Sequence, residues 1–137
     1  MKNVTISIKG FQSIDNDEEV VELKTLGTYV FKNDKYYIFY DEISEDGGKT
    51  ETMLKVGENI AVLKKSGTTD SRMVIEVGRR NSSVYATPMG EFFMDIYGEQ
   101  VKSTLTENGG TISLIYSLNM NTTPIGRNRI EITVKEV

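Results

Sequence analysis

The stretch SRMVIEVGRRNSSVYATPMGEFFMDIY, residues 71–97, decides the fold because it contains three β-type runs and both turns that join them. Met73, Ile75 and Val77 alternate with Arg72, Val74 and Glu76, a period of two that makes one face apolar and the other mixed. Gly78 and the polar run Arg79-Arg80-Asn81-Ser82 are expected to reverse the chain into a second strand at 84–87. Thr87-Pro88-Met89-Gly90 then reverses it again into 91–97, with Pro88 at the first central position of a type I turn and Gly90 free to take a positive φ. The unit is a meander.

The same period runs outward in both directions. Val4, Ile6 and Ile8 alternate with Thr5, Ser7 and Lys9, and a long run at 20–30 carries Gly27 where a bulge or tight bend fits. Asn33-Asp34 is a turn pair that tolerates left-handed backbone, and it leads into a run at 35–42. Alternating segments follow at 49–56 and 60–65, and after Tyr97 at 100–106. Asn108-Gly109 predicts a type I′ hairpin leading into the row Ile112, Leu114, Tyr116, Leu118 and Met120. After a turn at 121–127, Ile130, Ile132 and Val134 form the last row. No stretch sustains a 3.6-residue apolar period, so about ten short runs predict an all-β domain over residues 1–137, a single one on length. A long meander escapes the edge-strand hazard best by closing, which predicts a closed antiparallel up-and-down β-barrel.

Composition excludes several function classes. The chain has no cysteine and no histidine, so thiol catalysis, a Ser-His-Asp triad and the common zinc hydrolase sites are all ruled out. A net charge of −4 argues against bulk attraction to nucleic acid or an anionic membrane surface. Neither a secretory leader nor a spanning stretch of roughly 18 apolar residues is read, which makes a cytoplasmic protein the expectation. The basic pairs Lys64-Lys65, Arg79-Arg80 and Arg127 with Arg129 read as solvated strand ends or hairpin tips. The acidic connection at 15–19 lacks the EF-hand spacing, since Val20 and Leu26 stand where that loop needs Gly and Glu. No cofactor or metal motif is present, and no P-loop or dinucleotide fingerprint.

With the strands in place, short motifs carry a resemblance to a known family. Ile6-Ser7-Ile8-Lys9-Gly10, then Ser71, Met73 and Gly78, then Tyr85 with Thr87-Pro88-Met89-Gly90, and finally Leu114–Leu118 and 128–135 resemble the YwiB-like bacterial proteins. The resemblance covers nearly the whole chain, and its distinctive segment is the tyrosine followed by Thr-Pro-x-Gly. It implies a lipocalin-like, calycin-type barrel in a cytoplasmic bacterial protein, with a dimer as one assembly it allows, and it implies no activity. The lipocalin Gly-x-Trp has no counterpart here, because the chain has no tryptophan.

A barrel of this size either fills its interior with its own side chains or holds one small ligand. The aliphatic rows argue for a largely filled interior. Tyr40, Tyr85, Thr87, Ser103 and Tyr116 are the polar-tipped candidates for a ligand-lined inner face, and each hydroxyl could equally bond neighbouring backbone. Arg72 points outward by strict alternation, and only a reversal of parity would bring its guanidinium inside as an anion fork. The leading expectation is a non-catalytic module for a small, partly apolar ligand, an anion among the options. The alternative is a solid barrel whose Tyr36-Tyr37-Ile38-Phe39-Tyr40 run, apolar on both faces, forms a homodimer or partner interface. An enzyme using Glu76, Glu91 or Asp95 comes third, with no catalytic constellation to support it.

Overall fold

A computed structural model describes residues 1–14 and 17–137. Ten strands make one antiparallel sheet: β1 (Lys2–Ile14), β2 (Asp17–Lys32), β3 (Lys35–Ile43), β4 (Lys49–Gly57), β5 (Ile60–Gly67), β6 (Ser71–Glu76), β7 (Arg80–Thr87), β8 (Gly90–Ser103), β9 (Gly109–Met120) and β10 (Thr123–Glu136). The order across the sheet is β6-β5-β4-β3-β2-β1-β10-β9-β8-β7, so the first and last strands pair, with Val4 opposite Glu136 and Ile8 opposite Ile132. The result is a nearly closed up-and-down barrel. Among the described residues no helix is long and apolar enough to cross a membrane, a statement that does not bear on membrane barrels.

The residual seam lies between β6 and β7, the pair that the sequence reads as a hairpin. They form no ladder. Asp70 and Ala86 exchange both backbone hydrogen bonds at one end (2.9 and 2.8 Å). At the other end the Gly78 N–H donates to the Gly98 carbonyl at 2.9 Å, and the Gly98 N–H donates to the Arg79 carbonyl at 3.2 Å. The cause lies in β8, which takes Arg80 to Ser83 into its own ladder, so these residues are strand and not turn. The expected separate runs at 91–97 and 100–106 are likewise one strand, interrupted by a register shift between Gly98 and Gln100.

Other turns differ in detail. Thr106 and Gly109 exchange backbone hydrogen bonds at 2.8 and 3.1 Å, so the central turn residues are Glu107 and Asn108, and Gly109 follows at φ 112°. Asn33 and Asp34 both take positive φ, as expected of the pair, and so does Gly90. The acidic connection falls partly on residues 15–16, outside the described residues, while 17–19 open β2.

Ladder register sorts the side chains. The inner face pairs Ile6 with Val134 and Ile8 with Ile132 between β1 and β10, Tyr29 with Ile38 between β2 and β3, and Ile38 with Leu54 between β3 and β4. Ile38, Ile75 and Ala61 are fully buried, and Val4, Ile6, Leu54, Ile96, Ile112, Leu114 and Val134 nearly so. On β3 this parity turns Tyr36, Ile38 and Tyr40 inward and leaves Tyr37 and Phe39 outside. Those two outer rings stack on each other at 6.4 Å between centroids, and Lys55 lies over Tyr37.

Candidate functional site

The two ends of the barrel are unlike. Beyond β8 the segment 104–108 folds across one end, with Leu105 buried in the core cluster and the Thr106 carbonyl accepting a hydrogen bond from the Tyr29 hydroxyl at 2.7 Å. That end is plugged. The opposite end carries a cavity of about 580 Å³.

The opening has a local cause. β2 pairs with β3 only from Gly27 to Lys32, so its first half, bonded to β1 alone, diverges from the end of β3. Gly27 is the pivot. The Phe39 backbone comes so close that a Cβ at Gly27 would collide with the Phe39 carbonyl oxygen and with Ile6. Past it, Leu23 and Thr25 on one side and Tyr40 and Glu42 on the other border the cavity, and Leu54, Leu63, Leu114, Ile130 and Ile132 form its apolar wall.

One polar group of inner residues faces that wall. The Lys65 ammonium stands 3.2 and 3.3 Å from the two Glu42 oxygens, both side chains being about a third exposed or less. Thr52 lies in the same inner row, opposite Tyr40 on β3 and Lys65 on β5, and its buried hydroxyl has no hydrogen-bond partner. Burial pushes the Tyr40 phenol well above its ordinary value, and the Glu42 charge and a hydrogen bond to that carboxylate push it in the same direction. A mostly apolar pocket with a few convergent polar atoms is the usual construction of a small-molecule site.

The residues singled out from sequence scatter around this arrangement. Tyr40 borders the cavity. Tyr116 is buried on the inner face of β9 but belongs to a smaller cleft of about 190 Å³, with Gln12 and Asn128. Tyr85 is half-buried on β7, sharing a face with Asn81 and Ser83, whose amide nitrogen and hydroxyl are buried without partners. Thr87 caps its own hairpin, its hydroxyl accepting from the Met89 N–H and donating to the Gly90 carbonyl. The Ser103 hydroxyl accepts from the Leu105 N–H and so helps to seat the plug. Arg72 is exposed and stands opposite Lys64 on the outer face, so strict alternation holds and its guanidinium does not line the barrel.

Glu42 and Lys65 were missed by sequence reasoning, although the signal was present. Lys65 follows Ala61 and Leu63 at period two and therefore faces inward, whereas Lys64 alone is the solvated member of that pair. Of the carboxylates considered for acid–base work, Asp95 bonds the Ser82 hydroxyl, Glu76 pairs with Arg79, and Glu91 is exposed beside the Thr87–Gly90 turn. None borders the cavity.

Three phenols give this interior a pH signature. Burial raises Tyr116 to about 12, and it raises Tyr29 and Tyr40 further, with smaller contributions from Tyr36 and Glu42 respectively. Each keeps its proton in the folded chain after an unfolded phenol, near 10, has lost it. Their stabilisation is therefore complete below about pH 10 and is lost as pH rises through the folded values. Ultraviolet titration should show a late phase carrying three of the seven tyrosines, reduced by about a third in Tyr116→Phe. A single phase complete near pH 10 would contradict the burial.

Comparison with known proteins gives three findings. A family model described as a domain of unknown function (DUF1934) matches residues 6–132. The uncharacterized beta-barrel protein YwiB of Bacillus subtilis (strain 168) is 29% identical over 117 residues, which span 85% of this chain and 82% of that protein. The crystal structure of the ywiB protein from Bacillus subtilis matches with a TM-score of 0.88 at 26% identity, covering 99% of this chain and 92% of the other.

Proposed function

Because the chain belongs to the DUF1934 family, a domain of unknown function, its activity must be read from its own geometry, and we propose that it is a non-catalytic calyx holding one small, partly apolar molecule. The observation that carries this reading is the one-sided filling of the barrel. Leu105 and Thr106 close one end, whereas the divergence of β2 from β3 leaves the other with a cavity of about 580 Å³. That volume lies within the roughly 300–1,000 Å³ of ordinary ligand pockets. Its aliphatic wall supplies the affinity and the Glu42–Lys65 pair the orientation. We place its action in the cytoplasm, the compartment that the resemblance implies.

The interaction-module reading is less favoured. Of the five residues that prompted it, only Tyr37 and Phe39 face outward, and they are half-buried against each other. Catalysis by Glu76, Glu91 or Asp95 has no support from position, since none of them reaches the cavity.

Native mass spectrometry of the purified protein, together with titration by an environment-sensitive apolar dye, tests the calyx. The expected result is one bound molecule per chain, displaced in Leu23→Trp, where an indole fills the entrance while circular dichroism stays unchanged. Dye binding that survives Leu23→Trp intact would locate the dye on the outer surface and remove the reading's support.

A further inference from the structure

We propose, building on the calyx reading, that the molecule held in the open end is a cationic amphiphile: an apolar body with a primary ammonium that replaces the Lys65 ammonium on the Glu42 carboxylate. Two features separate the fixed partner from the replaceable one. Glu42 shares the inner face of β3 with the buried ring of Tyr40, two residues away, and both residues sit in the β3 ladder. Lys65 ends a flexible four-carbon stem, is partly exposed, and can withdraw into solvent. Its approach to both Glu42 oxygens shows that the carboxylate already accepts an ammonium in this position.

Charge around the opening points the same way. Glu22 and Asp41 also border the cavity and are met on the outer face by Lys9 at 3.5 Å and Lys49 at 3.6 Å. Lys49 is shared with Glu51 at 3.9 Å, so among the described residues that border the cavity the three carboxylates Glu22, Asp41 and Glu42 meet one ammonium, that of Lys65. An anionic head would approach several carboxylates to reach one lysine already engaged by Glu42. A cationic head gains from the same field.

Calorimetric titration with octylammonium, octan-1-ol and octanoate, which differ only in head group, tests the assignment. The wild type should bind octylammonium roughly tenfold more tightly than octan-1-ol, with octanoate weakest. Glu42→Gln should bring octylammonium down to the affinity of octan-1-ol for the same variant, abolishing the preference for the amine, and Lys65→Met should tighten octylammonium binding by removing its internal competitor. Octanoate binding tightest, or an amine preference that survives Glu42→Gln, overturns the cation while leaving the calyx intact. Binding of none of the three overturns both.

Discussion

Ile38→Ala is expected to destabilise the protein by about 2–5 kcal/mol, a large fraction of the roughly 5–15 kcal/mol that separates folded from unfolded domains. Ile38 has no exposed surface and sits in the inner row between Tyr29 on β2 and Leu54 on β4. Ile38 does not itself border the open cavity, and Leu54, which does, is fixed opposite it in the ladder, so the space left by truncation is not refilled by a strand shift. The cost is then lost transfer energy plus an empty volume lined by ladder residues that cannot approach one another. Denaturant unfolding measures it through a lowered midpoint at unchanged slope. Ile43→Ala is the matched control, because Ile43 is 67% exposed and should change stability by no more than about 0.5 kcal/mol. Equal effects at the two positions would mean that the inner row is misassigned.

Gly98→Ala should part the seam. Gly98 does not need glycine for its φ; it needs it for space, since a Cβ there would strike the Glu76 carbonyl oxygen and carbon, both backbone atoms. The bonds from Gly78 N–H to Gly98 and from Gly98 N–H to Arg79 are what hold β6 to β8 at that end. Losing two such bonds and forcing the strands apart costs about 3 kcal/mol or more, from about 1 kcal/mol per hydrogen bond plus 1–3 for overpacking. Amide exchange should accelerate first at Gly78 and Gly98, ahead of the Tyr29–Ile38 ladder. Gly10→Ala supplies the contrast, with only the Val21 carbonyl at 3.9 Å and ordinary φ. If Gly98→Ala is as stable as Gly10→Ala, the seam does not close where described.

Much of the candidate site was legible, though in pieces. Parity alone puts Tyr40 and Tyr116 inside, Arg72 outside, and Lys65 inside once the row Ala61, Leu63, Lys65 is followed to its end. Reading Lys64-Lys65 as one basic pair obscured this, because in a strand adjacent residues face opposite ways. Thr87 and Ser103 share the alternation of pocket residues yet spend their hydroxyls on local backbone, a competition that residue type does not resolve. Which inner polar groups meet depends on how far strands slide against one another. Glu42 and Lys65 are 23 residues apart and come together only through β4.

Period two, turn chemistry and the absence of histidine and cysteine were enough to determine an all-β meander whose ends pair, and to remove the commonest catalytic chemistries. Those are properties of each residue and its near neighbours, which local sequence encodes. Only the tertiary structure decided that β8 captures 80–83 and leaves the seam at β6, that Leu105 plugs one end, and that β2 swings away at Gly27 to open the other. Each of these outcomes turns on the distance between backbones far apart in the chain. Sterics set that distance only after the sheet has curled, so no alternation pattern along a single strand records it.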